Sequence, residues 1–359
     1  MATIITYPDI EQGFTQEYDT LTIIAPQGTT QIKFELLSMP GPGPAIYEAV
    51  YEMPAGDGIT AVTGLMEVMN AYIEEAYPSD KTSYTVEMRI KITAGSTVYT
   101  KDIYPFYCNV RRSDISRRRG WEDNHYLTAA TSRIIDYTTM LHLRYYTTAD
   151  ERQNGVQKTV SIATDRGTVT HTETDQTAPL SSAVWVSYQT LMTIAQAEDP
   201  LVTEVYYCTY RTGQRQQTIY IAEHAYRQKY TYVNEFGVTD KLMVGGTEVV
   251  REETEGEISA GYEKSIYDRR FATKYKFETG ALSQQEGMLL LSMLHAGTMY
   301  RGDTDGTKMV ITKADYEKST QPGSIHTATF EYEPSISQYH IAASAETRIF
   351  TSQYSDAFS

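Results

Sequence analysis

The strongest constraint on the fold of this chain is the strict alternation of apolar and polar side chains in residues 84–93, YTVEMRIKIT. The apolar set is Tyr84, Val86, Met88, Ile90 and Ile92, and every residue between them is polar. Because successive side chains of a strand point to opposite faces, the pattern predicts a strand with one buried and one solvated face. A sheet of such strands must bury its apolar face against a second layer.

The aromatic residues indicate that the rest of the chain is built in the same way. The 359 residues include 30 tyrosines, against 9 phenylalanines and 2 tryptophans. Tyrosine suits a half-buried strand position, where its ring packs and its hydroxyl reaches water. We therefore predict a mostly β protein of tandem β-sandwich-like modules, each covered by one amphipathic helix.

Three segments have the features expected of those helices. In residues 61–76, one apolar stripe is formed by Leu65, Val68, Met69, Tyr72, Ile73 and Ala76. Residues 182–197 show a similar stripe, and we expect Trp185 in the core there. In residues 283–296, Ser283 and Glu286 form a capping box before an apolar run that Gly297 ends.

Each predicted helix follows strands and precedes a β-hairpin, which suggests three related modules. The predicted domains are residues 1–112, 113–224 and 225–340, followed by a polar tail at 341–359. Chance recurrence of this order in a mixed β protein is the alternative.

Two expectations concern the middle third. Strands at 134–147 and 156–163 are predicted to be joined through the turn signal Asn154-Gly155. The Thr-rich stretch 164–178 is predicted to be a polar loop.

The charge balance limits the partners of the protein. There are 31 basic and 46 acidic residues, which give a net charge of −15 at pH 7. Such a balance argues against sequence-specific nucleic-acid binding and against an anionic-membrane binder. We expect no membrane insertion, since no apolar run approaches the ~20 residues that a membrane helix needs. We also expect no signal peptide, since residues 1–14 have neither a basic start nor a long apolar run.

The one dense basic cluster is RRSDISRRR, with Arg111, Arg112, Arg117, Arg118 and Arg119. These side chains could pair with acidic groups of a neighbouring copy, bind phosphate or nucleic acid, or lie in a solvated linker. Our hypothesis is the first, a clamp between subunits, with Trp121 as an interface anchor directly after the cluster.

An opposite cluster lies at residues 248–257, with Glu248, Glu252, Glu253, Glu255 and Glu257. It could meet the arginine cluster of another subunit, or it could line a lumen and repel DNA that passes through. A solvated loop is the simplest interpretation of this segment.

Signatures of catalysis and of metal binding are missing from the sequence. It has no GxSxG, HExxH, P-loop or GxGxxG motif, and the seven histidines are scattered singly. We therefore predict no enzyme activity, cofactor or metal, with a glycosidase whose carboxylates are distant in sequence as the alternative. Cys108 and Cys208 each lie in an aromatic, strand-like run and are predicted to be buried, reduced thiols; a disulfide is the alternative.

The last third of the chain carries a resemblance to a known family. Its features are a strand ending in NEFG (residues 234–237), a FETG-ALS-xxE entry to an apolar helix, and a β-hairpin that ends in ATFEYEP. This pattern resembles tail-tip proteins of tailed bacteriophages, above all the distal-tail type found in phages and prophages of Bacteroidetes. Proteins of that type form rings that join the tail tube to the tip or baseplate, and no motif residue carries over as a site.

The resemblance implies a structural virion protein, made in the bacterial cytoplasm, that forms an oligomeric ring or collar in a phage tail or related injection machine. Its partners would be copies of itself and other tail proteins, and DNA could pass through a lumen. The alternative is a glycan- or receptor-binding β-sandwich protein, in which exposed Tyr and Trp side chains stack on sugars.

Overall fold

The computed structural model describes residues 4–39, 45–53, 58–76, 86–109, 121–176, 178–222, 227–258, 266–302, 306–317 and 326–335. The fold is mostly β, as the alternation and the tyrosine content predict. None of the helices in these ranges has the length and apolar character needed to cross a membrane.

The chain divides into two compact units. The first, unit 1, consists of Met1–His224 together with Val233–Asp240. The second, unit 2, consists of Ala225–Tyr232 together with Lys241–Ser359. The predicted domains 1–112, 113–224 and 225–340 stay a prediction: Val233–Asp240, inside the third, belongs to unit 1, and the boundary after residue 112 lies outside the described residues.

The first half of unit 1 packs two sheets and a helix around one core. The three-stranded sheet has the order β1 (Ile5–Tyr7), β3 (Thr20–Ile24), β6 (Ile59–Thr63). The five-stranded sheet has the order β2 (Gln12–Phe14), β8 (Thr97–Phe106), β7 (Met88–Ala94), β4 (Gln31–Ser38), β5 (Ala45–Glu52). A 3₁₀ turn, Thr15–Tyr18, follows β2, and helix α1 spans Leu65–Ala76. Met88, Ile90 and Ile92 of β7 are buried in the shared core, which confirms the predicted dry face.

Helix α1 begins four residues later than predicted. Residues 59–63 form β6 instead, because Val62 is buried in the core opposite Leu21 of β3. Gly64, at φ 78°, then turns the chain into the helix. The predicted stripe is confirmed in part, since Leu65, Met69 and Ile73 are buried one turn apart.

The second half of unit 1 has the same kind of layers. A two-stranded sheet pairs β10 (Met140–Tyr146) with β13 (Ser181–Ser187). A five-stranded sheet has the order β12 (Gly167–Asp175), β11 (Val156–Thr164), β14 (Val205–Thr212), β15 (Arg215–Ile221), β9 (Ser132–Ile135). The helices here are α2 (Trp121–Asn124), α3 (Ala149–Asn154) and α4 (Tyr188–Glu198). Both sheets and α4 contribute to one hydrophobic core.

The predicted helix over residues 182–197 is wrong in its first part. Residues 181–187 form β13, where Val184 and Val186 are buried and Trp185 between them is 56% exposed. Because the period of a strand is two, the residue between two buried valines must face outward. Helix α4 begins only after Ser187, whose hydroxyl accepts the backbone N–H of Thr190 at 3.1 Å.

Two expectations for the middle third are also wrong. The Thr-rich stretch contains strand β12, which pairs along its whole length with β11, since alternating threonines favour an extended backbone. The segment before Asn154-Gly155 is helix α3, which has a capping box of Thr148 and Glu151. Strands β10 and β11 accordingly lie in different sheets instead of forming a hairpin.

Unit 2 is a closed barrel with one helix. Its strands have the order β16 (Arg227–Val233), β17 (Thr239–Ile258), β18 (Ile266–Thr279), β21 (Thr327–Pro334), β20 (Thr307–Glu317), β19 (Thr298–Arg301). Helix α5 spans Gln284–Ala296, and the predicted capping box is confirmed, because the Ser283 hydroxyl accepts from the backbone of Glu286 and the Glu286 carboxylate from that of Ser283. Gly297 ends the helix in the left-handed conformation, also as predicted.

Candidate functional site

The predicted site residues differ in how far the structure describes them. Arg111, Arg112, Arg117, Arg118 and Arg119 lie in residues 110–120, outside the described residues. Trp121, Glu248, Glu252 and Glu253 are described, and for Glu255 and Glu257 the description covers the backbone. The pairing of the arginine cluster with the acidic cluster therefore stays a prediction.

Trp121 belongs to an aromatic cluster within unit 1. Its ring stacks on Phe236 at 5.0 Å between centroids and on His125 at 4.6 Å. Phe14 meets the same ring edge-on at 6.2 Å. The indole is half-buried by these contacts inside its own chain. A role for Trp121 at an interface would rest on the part of the ring that these neighbours leave exposed.

The acidic segment 248–257 is a strand, and the interpretation as a loop is wrong. It forms the middle and end of β17, which pairs with β18 from Gly246↔Thr279 as far as Ile258↔Ile266. Val249 and Val250 favour an extended backbone, and the one glycine of the segment, Gly256, falls at the register shift between Glu255 and Glu257. Glu252 and Glu253 are neighbours on this strand and therefore face opposite sides of the β ribbon.

This ribbon extends past the strands that flank it in the barrel. Strand β21 ends at Pro334, which the pairing of Tyr275 with Tyr332 places opposite residue 273 of β18. On the other side, β16 has seven residues and turns directly into β17, so it pairs only with the start of β17. Among the described residues, no third strand is paired with residues 251–258 or 266–274, and this two-stranded extension is here called the arm. At about 3.3 Å per residue, eight residues of each strand span roughly 25 Å.

The charges of the arm nearly balance each other. Its β17 strand carries Arg251 and the four glutamates, and its β18 strand carries Asp268, Arg269, Arg270 and Lys274. Glu255 lies opposite Arg270 in the register, and Lys274 Nζ lies 2.6 Å from Glu253 Oε2. At least Glu253 is therefore paired with a basic residue on the neighbouring strand of the same chain.

Glu248 differs from the other glutamates of its cluster because it is engaged in the barrel. Its side chain is 10% exposed, forms an ion pair with Arg301, and accepts a hydrogen bond from the hydroxyl of Tyr332. Burial, reinforced by Tyr230 and Glu248, raises the pKa of Tyr332 above its usual range, so this hydroxyl stays protonated and remains a donor. The Glu248 carboxylate is thus engaged within unit 2, and its part in an interface stays a prediction.

The three-stranded sheet of unit 1 carries an exposed apolar row that sequence reasoning missed. Ile5, Ile24 and Ile59 lie opposite one another on β1, β3 and β6, and they are 50%, 40% and 46% exposed. Tyr7, on the same face of β1, is 66% exposed. The signal was present in the pairs Ile4-Ile5 and Ile23-Ile24, because neighbours on a strand face opposite sides and one isoleucine of each pair must point outward.

The described residues contain no group of metal ligands. No set of three or more His, Cys, Asp or Glu side chains in the described ranges is arranged to hold a metal ion. Cys108 and Cys208 are buried thiols that do not form a disulfide with each other, as predicted. Burial raises the pKa of the Cys208 thiol to about 12, which leaves it protonated and unreactive at neutral pH.

Comparison with known proteins adds little to this geometry. No family model and no curated protein matches the chain. One similar solved structure is that of trypsin-activated alpha-2-macroglobulin from Escherichia coli, with 10% sequence identity and a TM-score of 0.20. The match covers 91% of this chain and 26% of that chain, so this chain corresponds to a small part of that protein. At this TM-score, the likeness carries no argument about fold or function.

Proposed function

We propose that this chain is a structural virion protein that assembles with copies of itself into a ring or collar of a phage tail or a related injection machine. The arm is the observation that carries the proposal. A two-stranded ribbon is marginally stable at best in water, because it has no third strand or second layer on which to bury its surface. An arm of this length is therefore expected to be held by a neighbour.

A second copy of the same chain is the neighbour that the arm suits best. The open edges of the ribbon present backbone N–H and C=O groups that can pair with a strand of another subunit. With five acidic and four basic residues, the arm also has little net charge. It can consequently approach a copy that carries a charge of −15 without strong repulsion.

The isoleucine row, Ile5, Ile24 and Ile59, supports self-assembly from unit 1. Single exposed apolar residues are common on soluble proteins, but a contiguous apolar row is typical of an interaction surface. Unit 1 and unit 2 thus each carry a surface suited to a neighbour. Two different contact surfaces on one chain favour head-to-tail contacts, which close into a ring when the rotation between subunits permits.

The place of the ring in a phage tail rests on the resemblance of the last third. The NEFG segment that carries part of it forms the connection between β16 and β17, and the FETG-ALS segment leads into α5. Mass spectrometry of purified particles of the phage or prophage that encodes the chain should detect it at a fixed ratio to the tail-tube protein. Particles that lack the chain would contradict the placement in a virion and leave self-assembly as a separate question.

Removal of the arm tests the assembly proposal. Residues 252–273 are excised, and Arg251 is joined to its opposite residue Lys274 by an Asn-Gly turn, which suits a two-residue hairpin. We expect the variant to be monomeric by light scattering where the full chain is oligomeric. The barrel should keep its thermal unfolding transition, because the pairing of β18 with β21 from Tyr275 to Glu278 lies outside the excised segment.

A matched control shortens a hairpin that is not part of the arm. Strands β7 and β8 meet at Gly95-Ser96, and excising two opposed pairs, Thr93 with Val98 and Ala94 with Thr97, keeps the alternation of faces and removes strand length at a different site. This control should retain the mass of the full chain. An arm-less variant that folds and still has the oligomer mass of the full chain would overturn the role of the arm.

A further inference from the structure

The outward face of the five-stranded sheet in unit 1 has a regular arrangement of side chains. One hydroxyl from each strand lies in a single row across the sheet, in the order Thr170, Ser161, Thr209, Thr218, Ser132. Neighbouring hydroxyls in the row approach each other, at 3.4 Å between Ser161 and Thr170 and 3.3 Å between Thr209 and Thr218. The result is a dense array of groups that both donate and accept hydrogen bonds.

Two different kinds of side chain flank this row. On one side, Tyr207 and Tyr220 are opposite each other, with ring centroids 5.8 Å apart, and they are 43% and 47% exposed. On the other side, Arg211 lies opposite Gln216, and its Nε donates to Gln216 Oε1 at 3.1 Å. Between Tyr207 and Arg211 the surface forms an open depression of about 290 Å³.

The three rows of this face carry one charged residue. In the row of the tyrosines and in the row of Arg211, the other members on β11 and β12 are Ala163, Thr168, Thr159 and Thr172. Ile134 on β9 completes the row of the tyrosines. Arg211 is thus the only charged side chain of the fourteen residues in these rows, on a chain with a net charge of −15. Because the guanidinium matches a carboxylate in shape and charge, the depression favours an anionic ligand.

We propose that this face binds an oligosaccharide that carries a carboxylate. The apolar face of a sugar ring would lie against Tyr207 or Tyr220, as amphipathic aromatic rings accept ligands with one apolar and one polar side. Its hydroxyls would bond to the row of Thr and Ser side chains, and its carboxylate would pair with Arg211.

A protein partner fits the same face less well. Protein interfaces are built on buried aromatic and aliphatic anchors that fill pockets in the other surface. Here the aliphatic members of the three rows are Ala163 and, at the β9 end, Ile134, and most of the remaining positions carry hydroxyl groups. The density of hydroxyls matches a ligand that is itself rich in hydroxyls. The binding site goes beyond the assembly proposal and does not depend on it.

The test is binding of the full chain to an array of oligosaccharides in matched pairs, one member of each pair carrying a uronic or sialic acid and the other its neutral counterpart. We expect the acidic members to bind more tightly than the neutral ones. Arg211→Gln should abolish that preference, and Tyr207→Ala should lower the affinity for both members about tenfold, the factor that corresponds to 1.4 kcal/mol.

Tyr137→Ala is the control for loss of an exposed ring, since Tyr137 is also 43% exposed and lies outside the three rows. It should bind as the unchanged chain does. An array on which no acidic saccharide binds, or on which acidic and neutral members bind equally, would overturn the proposal. Binding by Arg211→Gln and Tyr207→Ala at the level of the unchanged chain would overturn the assignment to this face. Saccharide binding and oligomer mass are measured independently. A negative result in the binding test therefore leaves the assembly proposal standing, and the reverse also holds.

Discussion

At the scale of single residues, the segment Asn234–Asp240 is held in unit 1 by a dense set of buried polar contacts. The Asn234 side chain accepts from the backbone of Phe236 and Val238, at 3.0 and 3.1 Å, and donates to the carbonyl of Leu127 at 2.9 Å. Asp240 forms a buried ion pair with Arg133. The NEFG motif therefore has a structural role that is clear from its contacts.

Loss of the Asp240 carboxylate should strongly destabilise unit 1. In Asp240→Ala, the Arg133 guanidinium, whose side chain is 3% exposed, would be buried without its counter-charge. We expect the free energy of unfolding to fall by about 3–5 kcal/mol. Urea unfolding followed by tryptophan fluorescence measures unit 1 specifically, because Trp121 and Trp185 both belong to it.

Asp102→Ala is the matched control for this experiment. Asp102 pairs with Arg89, also in unit 1, but the two side chains are 40% and 35% exposed. Loss of a pair exposed to water is expected to cost under about 1 kcal/mol. Equal losses of unfolding free energy in Asp102→Ala and Asp240→Ala would show that burial does not determine how much each ion pair contributes to stability.

The ion pairs of a second residue, Glu35, should make the free energy of unfolding decrease as the pH falls into the acid range. Its carboxylate lies 2.7 Å from Lys91 Nζ and 3.2 Å from Lys33 Nζ, and Lys91, with Lys33 adding to it, lowers the pKa of Glu35 although burial opposes the shift. The folded state thus binds a proton less readily than the unfolded chain. This contribution to stability is present above the ordinary pKa of Glu, about 4.3, and is lost as the pH falls through the lowered pKa of the folded state.

The variant Glu35→Gln isolates that contribution. We expect the melting temperature of Glu35→Gln to fall less steeply than that of the unchanged chain as the pH is lowered below the ordinary pKa of Glu, because the amide does not titrate. Circular dichroism at a series of pH values measures the two curves. Parallel curves over that range would contradict the assigned role of Lys91 and Lys33.

At the scale of elements, local sequence signals predict structure where one period dominates. Strand β7 and helix α5 were predictable because alternation in one and a capping box in the other agree with their tertiary setting. The pattern predicts helix for residues 182–187 because the stripe of α4 continues into them by coincidence. The alternation of Val184, Trp185 and Val186 was the better signal there, and it spans too few residues to outweigh a helix next to it.

The candidate surfaces were predictable to a smaller degree. Glu248 lies in the barrel part of β17, and Glu253 lies in the arm. This difference depends on where the flanking strands β16 and β21 end, and those ends are set by tertiary pairing. The isoleucine row requires three strands that are distant in sequence to align, which no local pattern specifies. The sequence contained the residues of each surface, but their juxtaposition follows from the sheet topology.

The isoleucine row gives a prediction at this scale. We expect Ile24→Thr together with Ile59→Thr to raise the concentration at which the oligomer dissociates at least about tenfold, since 1.4 kcal/mol of lost apolar contact corresponds to that factor. Threonine keeps the preference for a strand, so unit 1 should remain folded. Sedimentation velocity over a dilution series measures the change.

Val98→Thr is the control for the isoleucine row. Val98 is 56% exposed on β8 of the other sheet, away from the row, and its replacement should leave the oligomer unchanged. If Val98→Thr dissociates at the same concentration as the double variant, the weaker assembly results from a general loss of apolar surface and not from loss of the isoleucine row. Dissociation of the double variant at the concentration of the unchanged chain would remove the isoleucine row from the interface.

At the scale of the whole molecule, the chain combines a packed interior in each unit, surfaces suited to assembly and a face suited to a ligand. Buried sheets and aromatic clusters stabilise each unit, and the arm and the isoleucine row offer surfaces to neighbours. The outward face of the five-stranded sheet presents hydroxyls, tyrosines and one arginine to a ligand. A subunit of a ring that also contacts a saccharide would need these three features at once.

The central claim is that the chain assembles with itself, and the mass of the purified protein in solution tests it most directly. Multi-angle light scattering with negative-stain images of the same sample should give a fixed multiple of 40.6 kDa and closed rings with one copy number. A mass of 40.6 kDa at the highest concentration at which the protein stays soluble, with no rings in the images, would contradict the account.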